Sequence, residues 1–229
     1  MNRQIITTAD GSKTIQLVDL NEQYHSIHGA LQESQHVYIK QGLQYFYKNK
    51  QEKNIPISIL EIGFGSGLNV MTTLVESKNA KLQINYVGVE AYPISKEEIL
   101  ELNYGMQFDF ENAKQLFQDI HSCKWGKAHK VTPNFILEKQ QKDFSEIITK
   151  NTFNIIYFDA FGPRVQPELW TEAIFEKMFD ALKEEGILVT YSAKGSVRRA
   201  MQSAGFIVER IPGPPGKREM LRATKHSVN

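Results

Sequence analysis

The sequence predicts an α/β domain built on a mainly parallel sheet, and three observations carry that expectation. Apolar strand-like runs alternate with helical-period segments along most of the chain. One run, FNIIYFDAF (Phe153 to Phe161), is a continuous β-branched and aromatic stretch typical of strands buried on both faces. The first strand-to-helix junction, EIGFGSGLN (Glu61 to Asn69), carries glycines on alternate positions where the backbone must turn tightly.

The elements follow in order. Ile57 to Ile62 reads as the first strand, and Leu68, Val70, Met71, Leu74 and Val75 recur at helical spacing after it. LQINYVGVE (Leu82 to Glu90) is a second strand ending on an acid, followed by a helix from Ser95 to Leu102. A less regular region containing Trp125 runs to Pro133. NFILEK is then the third strand, with DFSEIIT as a helix behind it. Phe153 to Phe161 is the fourth strand, and a helix follows around Pro167 to Leu182 until Gly186 breaks it. GILVTYS, FIVERI and EMLRAT supply strands five to seven, with a basic helix from Gly195 to Ala204 after the fifth. The loop PGPPGK is too rich in proline for helix or strand and closes the last two strands as a hairpin. The expectation is a seven-stranded sheet, parallel save for one strand of that hairpin and covered on both faces. Its ligand lies beyond the carboxyl ends of the strands, where the strand order reverses. Residues 1–54 do not alternate in this way and read as an N-terminal extension to a domain spanning 55–229.

At 229 residues, with 41% hydrophobic and 23% charged residues, the chain suits one α/β domain with a packed core. No apolar run approaches the ~20 residues needed to span a bilayer, and the N-terminus lacks the apolar region of a signal peptide. Neither membrane attachment nor export is therefore expected. A single Cys123 allows no internal disulfide and fits a cytoplasmic location, and no metal site is expected from so few ligands. Charge is nearly balanced, 27 Lys/Arg against 26 Asp/Glu, but unevenly placed. From Lys194 onward eight basic residues meet two acids, a local charge of +6 that leaves −5 on the remainder. Such a basic end suits an anionic macromolecule, or else a solvated face.

Four acids fall at strand ends beside the glycine loop: Glu61, Glu90, Asp143 and Asp159. Gly63, Gly65 and Gly67 do not make a dinucleotide fingerprint, because Leu68 occupies its closing position, and no Lys-Ser/Thr pair follows for phosphate. Glu90 lies where an acid accepts both hydroxyls of a ribose. Asp143 either caps the next helix or accepts an adenine amino group, and the sequence leaves both open. Adenine, ribose and a phosphate-free tail describe S-adenosylmethionine, and the pattern E-x-G-x-G-x-G with a second-strand acid is suited to it. In DAFGPRVQPELW, Asp159 at a buried strand tip suits an amine acceptor. It accepts the ammonium's hydrogen bonds and takes part in proton removal, while Phe161 walls the acceptor in.

Six stretches together carry a resemblance: YHSIHGALQES, EIGFGSGLN, VEAYP, FDAFGPRVQPELW, TYSAKGSVRRAM and GPPGKREMLRA. They span nearly the whole chain, and the sequence resembles the methyltransferase (MnmD) half of the bifunctional bacterial tRNA wobble-uridine enzyme MnmC. The resemblance implies a class I, Rossmann-like S-adenosylmethionine-dependent fold. It also implies methylation of the 5-aminomethyl group of uridine, usually 2-thiouridine, at the tRNA wobble position. The chain ends at Asn229 without the bifunctional enzyme's flavin-dependent oxidase domain, so a stand-alone methyltransferase is expected. Its further partners would be the enzymes that install the aminomethyl group. The resemblance places Tyr24 to Ser34 over the cofactor, with Tyr24 and Glu33 as contacts beside Glu61, the three glycines, Asn69 and Glu90. The basic residues that would meet RNA are Arg164, Lys194, Arg198, Arg199, Lys217 and Arg218. His25, His28 and His36 lack metal-site spacing and read as structural or acceptor-side groups. Two other functions compete: a small-amine methyltransferase or aminopropyltransferase, which needs no basic C-terminus, and a non-catalytic RNA-binding module.

Overall fold

The computed structural model describes residues 2–49, 55–102 and 104–226. The expected division at 54/55 abuts residues 50–54, which lie outside the described residues. Before it stand β1 (Arg3–Thr7), β2 (Lys13–Leu17) and β3 (Glu22–Gln23), a small antiparallel sheet of their own. Asp10 organises the turn between β1 and β2, accepting from the Thr8 hydroxyl at 2.7 Å and the Ser12 N–H at 3.0 Å. Its other oxygen accepts the Gln32 N–H at 3.0 Å, which ties the turn to α1 (Ala30–Ser34). A ten-residue π-helical segment, Gln35–Gln44, continues α1 and runs into α2 (Tyr45–Asn49). Such wide turns are rare and recur near functional sites. This one packs Tyr38 against Tyr157 of the central sheet, with ring centroids 5.1 Å apart.

The central sheet is built from β4 (Ile57–Ile62), β5 (Ile84–Glu90), β6 (Ala128–Thr132), β7 (Phe135–Gln141), β8 (Phe153–Phe158), β9 (Leu182–Thr190), β10 (Ile207–Pro212) and β11 (Glu219–Thr224). Their order is β10-β11-β9-β8-β4-β5-β7-β6, and the run from β9 to β7 is parallel. All six side chains of β8 are buried, as its apolar run requires. The helices α3 (Leu68–Asn79), α4 (Lys96–Leu102), α5 (Ala113–Ser122), α6 (Glu172–Ala181) and α7 (Gly195–Ser203) accompany the strands. Two apolar clusters form on the sheet: one gathers Tyr86, Phe135, Tyr157 and α3, the other Phe158, Trp170, Phe175 and α7.

The fold class agrees with the sequence reading, with local differences that have physical causes. The sheet has eight strands rather than seven. β6 lies antiparallel to β7 at the sheet edge, with a register shift between Lys130 and Thr132. An edge strand needs no unbroken apolar run, so AHKVT gave no strand signal. DFSEIIT is a single 3-10 turn, Phe144–Glu146, and a second such turn, Pro167–Trp170, precedes α6. β9 begins at Leu182, before Gly186, because a register shift against β8 and a left-handed Glu185 (φ 59°) absorb the irregularity.

Candidate functional site

Strand order reverses at β4, whose two neighbours β5 and β8 send their following loops in opposite directions. A crevice opens there. The loop after β4 starts with two hydrogen bonds to its neighbour, as the Gly63 and Phe64 N–H groups both donate to the Val89 carbonyl at 3.0 Å. Gly63 has φ 87°, and an added Cβ would lie 2.7 Å from the Asp159 carbonyl oxygen. Gly65, at φ 48°, abuts the Tyr24 ring in the same way. These two glycines let backbone line the crevice at close quarters. Gly67 meets His121 instead and faces away from it.

The crevice is a cavity of about 520 Å³, walled by Tyr24, His25, Gly63, Gly65, Glu90, Asp143, Asp159 and Phe161 among others. That size suits a nucleoside-type ligand. Glu90 holds the glycine loop: its two oxygens accept the Gly65 N–H and the Tyr92 N–H, each at 2.9 Å. Each carboxylate oxygen keeps a lone pair for a ribose hydroxyl. Asp143 fulfils one of its two readings, since it accepts the Ser145 N–H at 2.8 Å within a capping box completed by Glu146. It nonetheless stands on the cavity rim. Tyr24 and Phe161 meet edge to face with centroids 5.0 Å apart.

Asp159 follows β8, and its turn is pinned from three sides. Its N–H donates to the Ile62 carbonyl at 2.9 Å. The Trp170 indole donates to the Phe161 carbonyl at 2.7 Å, and the Tyr191 hydroxyl to that of Ala160 at 2.9 Å. The Asp159 side chain is only 5% exposed. Burial pushes its carboxyl up to about 8, and the negative Glu33 adds to the rise, while the Tyr38 hydroxyl, the Asn69 amide and the Lys217 charge oppose it.

Several predicted residues sit elsewhere than on the cavity wall. Glu61 is fully buried beneath the loop, where desolvation holds its carboxyl well above the usual range. Asn69 bridges the floor, donating to Glu61 Oε1 at 2.9 Å and to Asp159 Oδ2 at 2.8 Å. Both therefore support the wall rather than form it. Glu33 points to Lys217, with Nζ to Oε2 at 2.6 Å, and also accepts the Ser26 N–H. Lys217 lies over the Tyr191 ring as well, at 3.9 Å, so its charge is engaged internally. Arg164 binds Glu22 at 3.1 Å and the carbonyls of Leu20 and Asn21. Arg198 is half-buried, whereas Lys194, Arg199 and Arg218 are exposed. The basic end is thus partly structural: Arg222 pairs with Glu209 and covers the Tyr45 ring, and Lys225 donates to the Leu182 carbonyl.

The histidines separate. His36 meets the Pro212 carbonyl and His28 packs at Gly216, but His25 reaches the cavity wall. Its spacing to the other histidines gave no hint of that, since the strands before it decide where it goes. Among the described residues no three His, Cys, Asp or Glu side chains are placed to hold a metal, and no helix is long and apolar enough to cross a membrane.

A glycine loop with no Lys-Ser/Thr pair behind it, a second-strand acid and a crevice at the reversal of a mainly parallel sheet are the features of a class I methyltransferase fold. The chain belongs to the S-adenosyl-L-methionine-dependent methyltransferases, whose family model matches residues 109–226. It is 28% identical over 211 residues to the "tRNA 5-methylaminomethyl-2-thiouridine biosynthesis bifunctional protein MnmC" of Idiomarina loihiensis, covering 86% of this chain and 34% of that protein. The protein of the same name from Campylobacter hominis is 29% identical over 170 residues, 73% of this chain and 25% of its own length. The chain therefore spans about a quarter to a third of these relatives. Among solved structures, MnmC2 from Aquifex aeolicus superposes with a TM-score of 0.78 at 25% identity, over 99% of this chain and 71% of that one. Spermidine synthase from Thermotoga maritima shares the fold, with a TM-score of 0.59 at 16% identity, over 97% of this chain and 68% of that one.

Proposed function

We propose that this chain transfers a methyl group from S-adenosylmethionine to the 5-aminomethyl group of uridine or 2-thiouridine at the tRNA wobble position. The observation that carries the reading is Asp159, a buried carboxyl at a strand tip facing a nucleoside-sized cavity. The names of the relatives, which concern 5-methylaminomethyl-2-thiouridine biosynthesis, support the acceptor.

The residues present fit the cofactor. Glu90 would hold the ribose, Asp143 stands where an adenine amino group would lie, and Gly63 and Gly65 leave backbone open to the amino-acid tail. When bound, the cofactor supplies an electrophilic methyl on a sulfonium. The acceptor amine is an ammonium at neutral pH, with an ordinary pKa around 10, and cannot attack until it loses a proton. As a carboxylate, Asp159 accepts that ammonium's hydrogen bond, orients it and takes the proton, which frees the lone pair that then attacks the methyl. Tyr24 and Phe161 wall the acceptor in and exclude water. On this reading residues 1–54 are an extension covering the site, tRNA and the enzymes that install the aminomethyl group are the partners, and the cytoplasm is the place of action.

A second reading, a small-amine acceptor, draws on one observation: Lys217, Arg222 and Lys225 are committed to internal contacts, which thins the basic surface available to RNA. The intact cavity and Asp159 speak against a non-catalytic RNA-binding module. Incubating unmodified and aminomethylated tRNA with enzyme and labelled S-adenosylmethionine, followed by nucleoside mass spectrometry, tests the proposal. Label in methylaminomethyl-uridine supports it. Label transferred to a polyamine offered in a parallel reaction, with none in tRNA, would move the second reading ahead.

A further inference from the structure

His25 has no assigned part in the chemistry, yet it is built into the site with care. Its side chain is 6% exposed, and its Nε2 lies 2.8 Å from the Ser66 hydroxyl, in the glycine loop. Its backbone N–H donates to the Thr14 hydroxyl at 2.9 Å, so β2 fixes the residue independently of its ring. Nδ1 has no hydrogen-bond partner and lies 3.9 Å from Asp159 Oδ2. That separation is about 1 Å longer than a hydrogen bond, a gap that small side-chain rotations close. A buried ring nitrogen without a partner is costly to keep, so it needs a use.

We propose that His25 is a positioning residue for Asp159: Ser66 donates to Nε2, which fixes the proton on Nδ1, and Nδ1–H donates to the Asp159 carboxylate when the acceptor ammonium binds. The inference rests on the reading above that Asp159 handles the amine. Asn69 already donates to Oδ2, the Tyr38 hydroxyl faces the carboxyl, and His25 supplies a further neutral donor. Neutral donors are what the site requires. A cationic imidazolium would repel the ammonium, and burial depresses the His25 ring to about 4, against the pull of Glu33. The charged and titratable groups facing this pair are Glu33 from α1, Lys217 from the last hairpin, Tyr38 from the π-helical segment, Glu61 from β4 and Tyr191 after β9.

Two isosteric substitutions separate this role from packing. Asn places its amide nitrogen where Nδ1 stands, whereas Gln places its own where Nε2 stands. A hydrogen bond to a charged carboxylate corresponds to about one to two pH units. In His25→Gln the acid limb of the kcat profile for methyl transfer should therefore move up by about one unit or more, with the S-adenosylmethionine Kd unchanged. His25→Asn should restore the wild-type limb. A readout free of the acceptor accompanies this: a 13C NMR titration of the Asp159 carboxyl in the ligand-free protein with ammonium or methylammonium added. It should show the same displacement in His25→Gln and its reversal in His25→Asn. If the two variants titrate alike, by either readout, the role is wrong and His25 is packing. If tRNA is not a substrate but the NMR displacement and its rescue appear, the acceptor reading fails and the positioning role stands.

Discussion

Replacing Asp159 by Asn should make the protein more stable as it makes the enzyme slower, and the pH dependence of the first effect tests the electrostatics directly. Burial raises this carboxyl from 3.8 to about 8. The folded state therefore holds the proton more tightly than the unfolded chain, so ionisation works against folding. Stability is lost as pH rises above the unfolded value near 4, and the loss levels off above about 8. Over the roughly three units between pH 4 and pH 7, at about 1.4 kcal/mol each, the ceiling is ~4 kcal/mol. The Asn side chain must itself be buried and hydrogen-bonded, so a net gain of roughly 1–3 kcal/mol at pH 7 is expected. Asn69 can still donate to the new carbonyl oxygen. Denaturant unfolding followed by the fluorescence of Trp125 and Trp170 at pH 5, 7 and 9 measures the difference. It should widen from pH 5 to about pH 8 and then level off. Parallel pH dependence in the two proteins would refute the raised carboxyl, whatever the activity. In the same variant the rate of methyl transfer should fall by ~10²-fold or more, with cofactor binding nearly intact, in a single-turnover assay.

Three further outcomes follow from the geometry. Glu90→Ala should weaken S-adenosylmethionine binding by roughly 1.5–3 kcal/mol, since it removes a charged hydrogen-bonding partner and frees the Gly65 N–H; isothermal titration calorimetry showing unaltered affinity rejects it. Gly63→Ala sets a Cβ against the Asp159 carbonyl at a positive φ, so a loss of about 1–3 kcal/mol in stability and displacement of the catalytic carboxyl are expected; a wild-type melting curve and rate would contradict the packing. Reversing Lys194, Arg199 and Arg218, three exposed members of the basic set, to Glu should weaken tRNA binding and flatten its salt dependence while sparing the cofactor; an unchanged slope in filter-binding titrations assigns them to a solvated face.

The sequence alone determined the mainly parallel sheet save its edge strand, and the strand ends at which the cavity opens, because those follow from local periodicity. The run FNIIYF is typical of an interior strand, and alternate glycines between a strand and a helix mark a tight turn, here at positive φ. Glu90 and Asp159 were legible for the same reason: the carboxyl end of a parallel strand lies at the edge where the cavity opens. The tertiary structure decided the rest. Whether an acid lines the cavity or lies beneath it depends on side-chain direction, and Glu61 turned inward to Asn69 while Glu90 stayed on the wall. Whether a basic residue is free depends on partners far along the chain: Lys217 meets Glu33 across 184 positions, and Arg222 covers Tyr45. The edge strand β6 needs no apolar run, and residues 2–49 follow no α/β alternation, so their sheet and their delivery of Tyr24 and His25 to the cavity left no periodic trace. Local pattern sets which elements form; only long-range contacts choose which of their side chains meet.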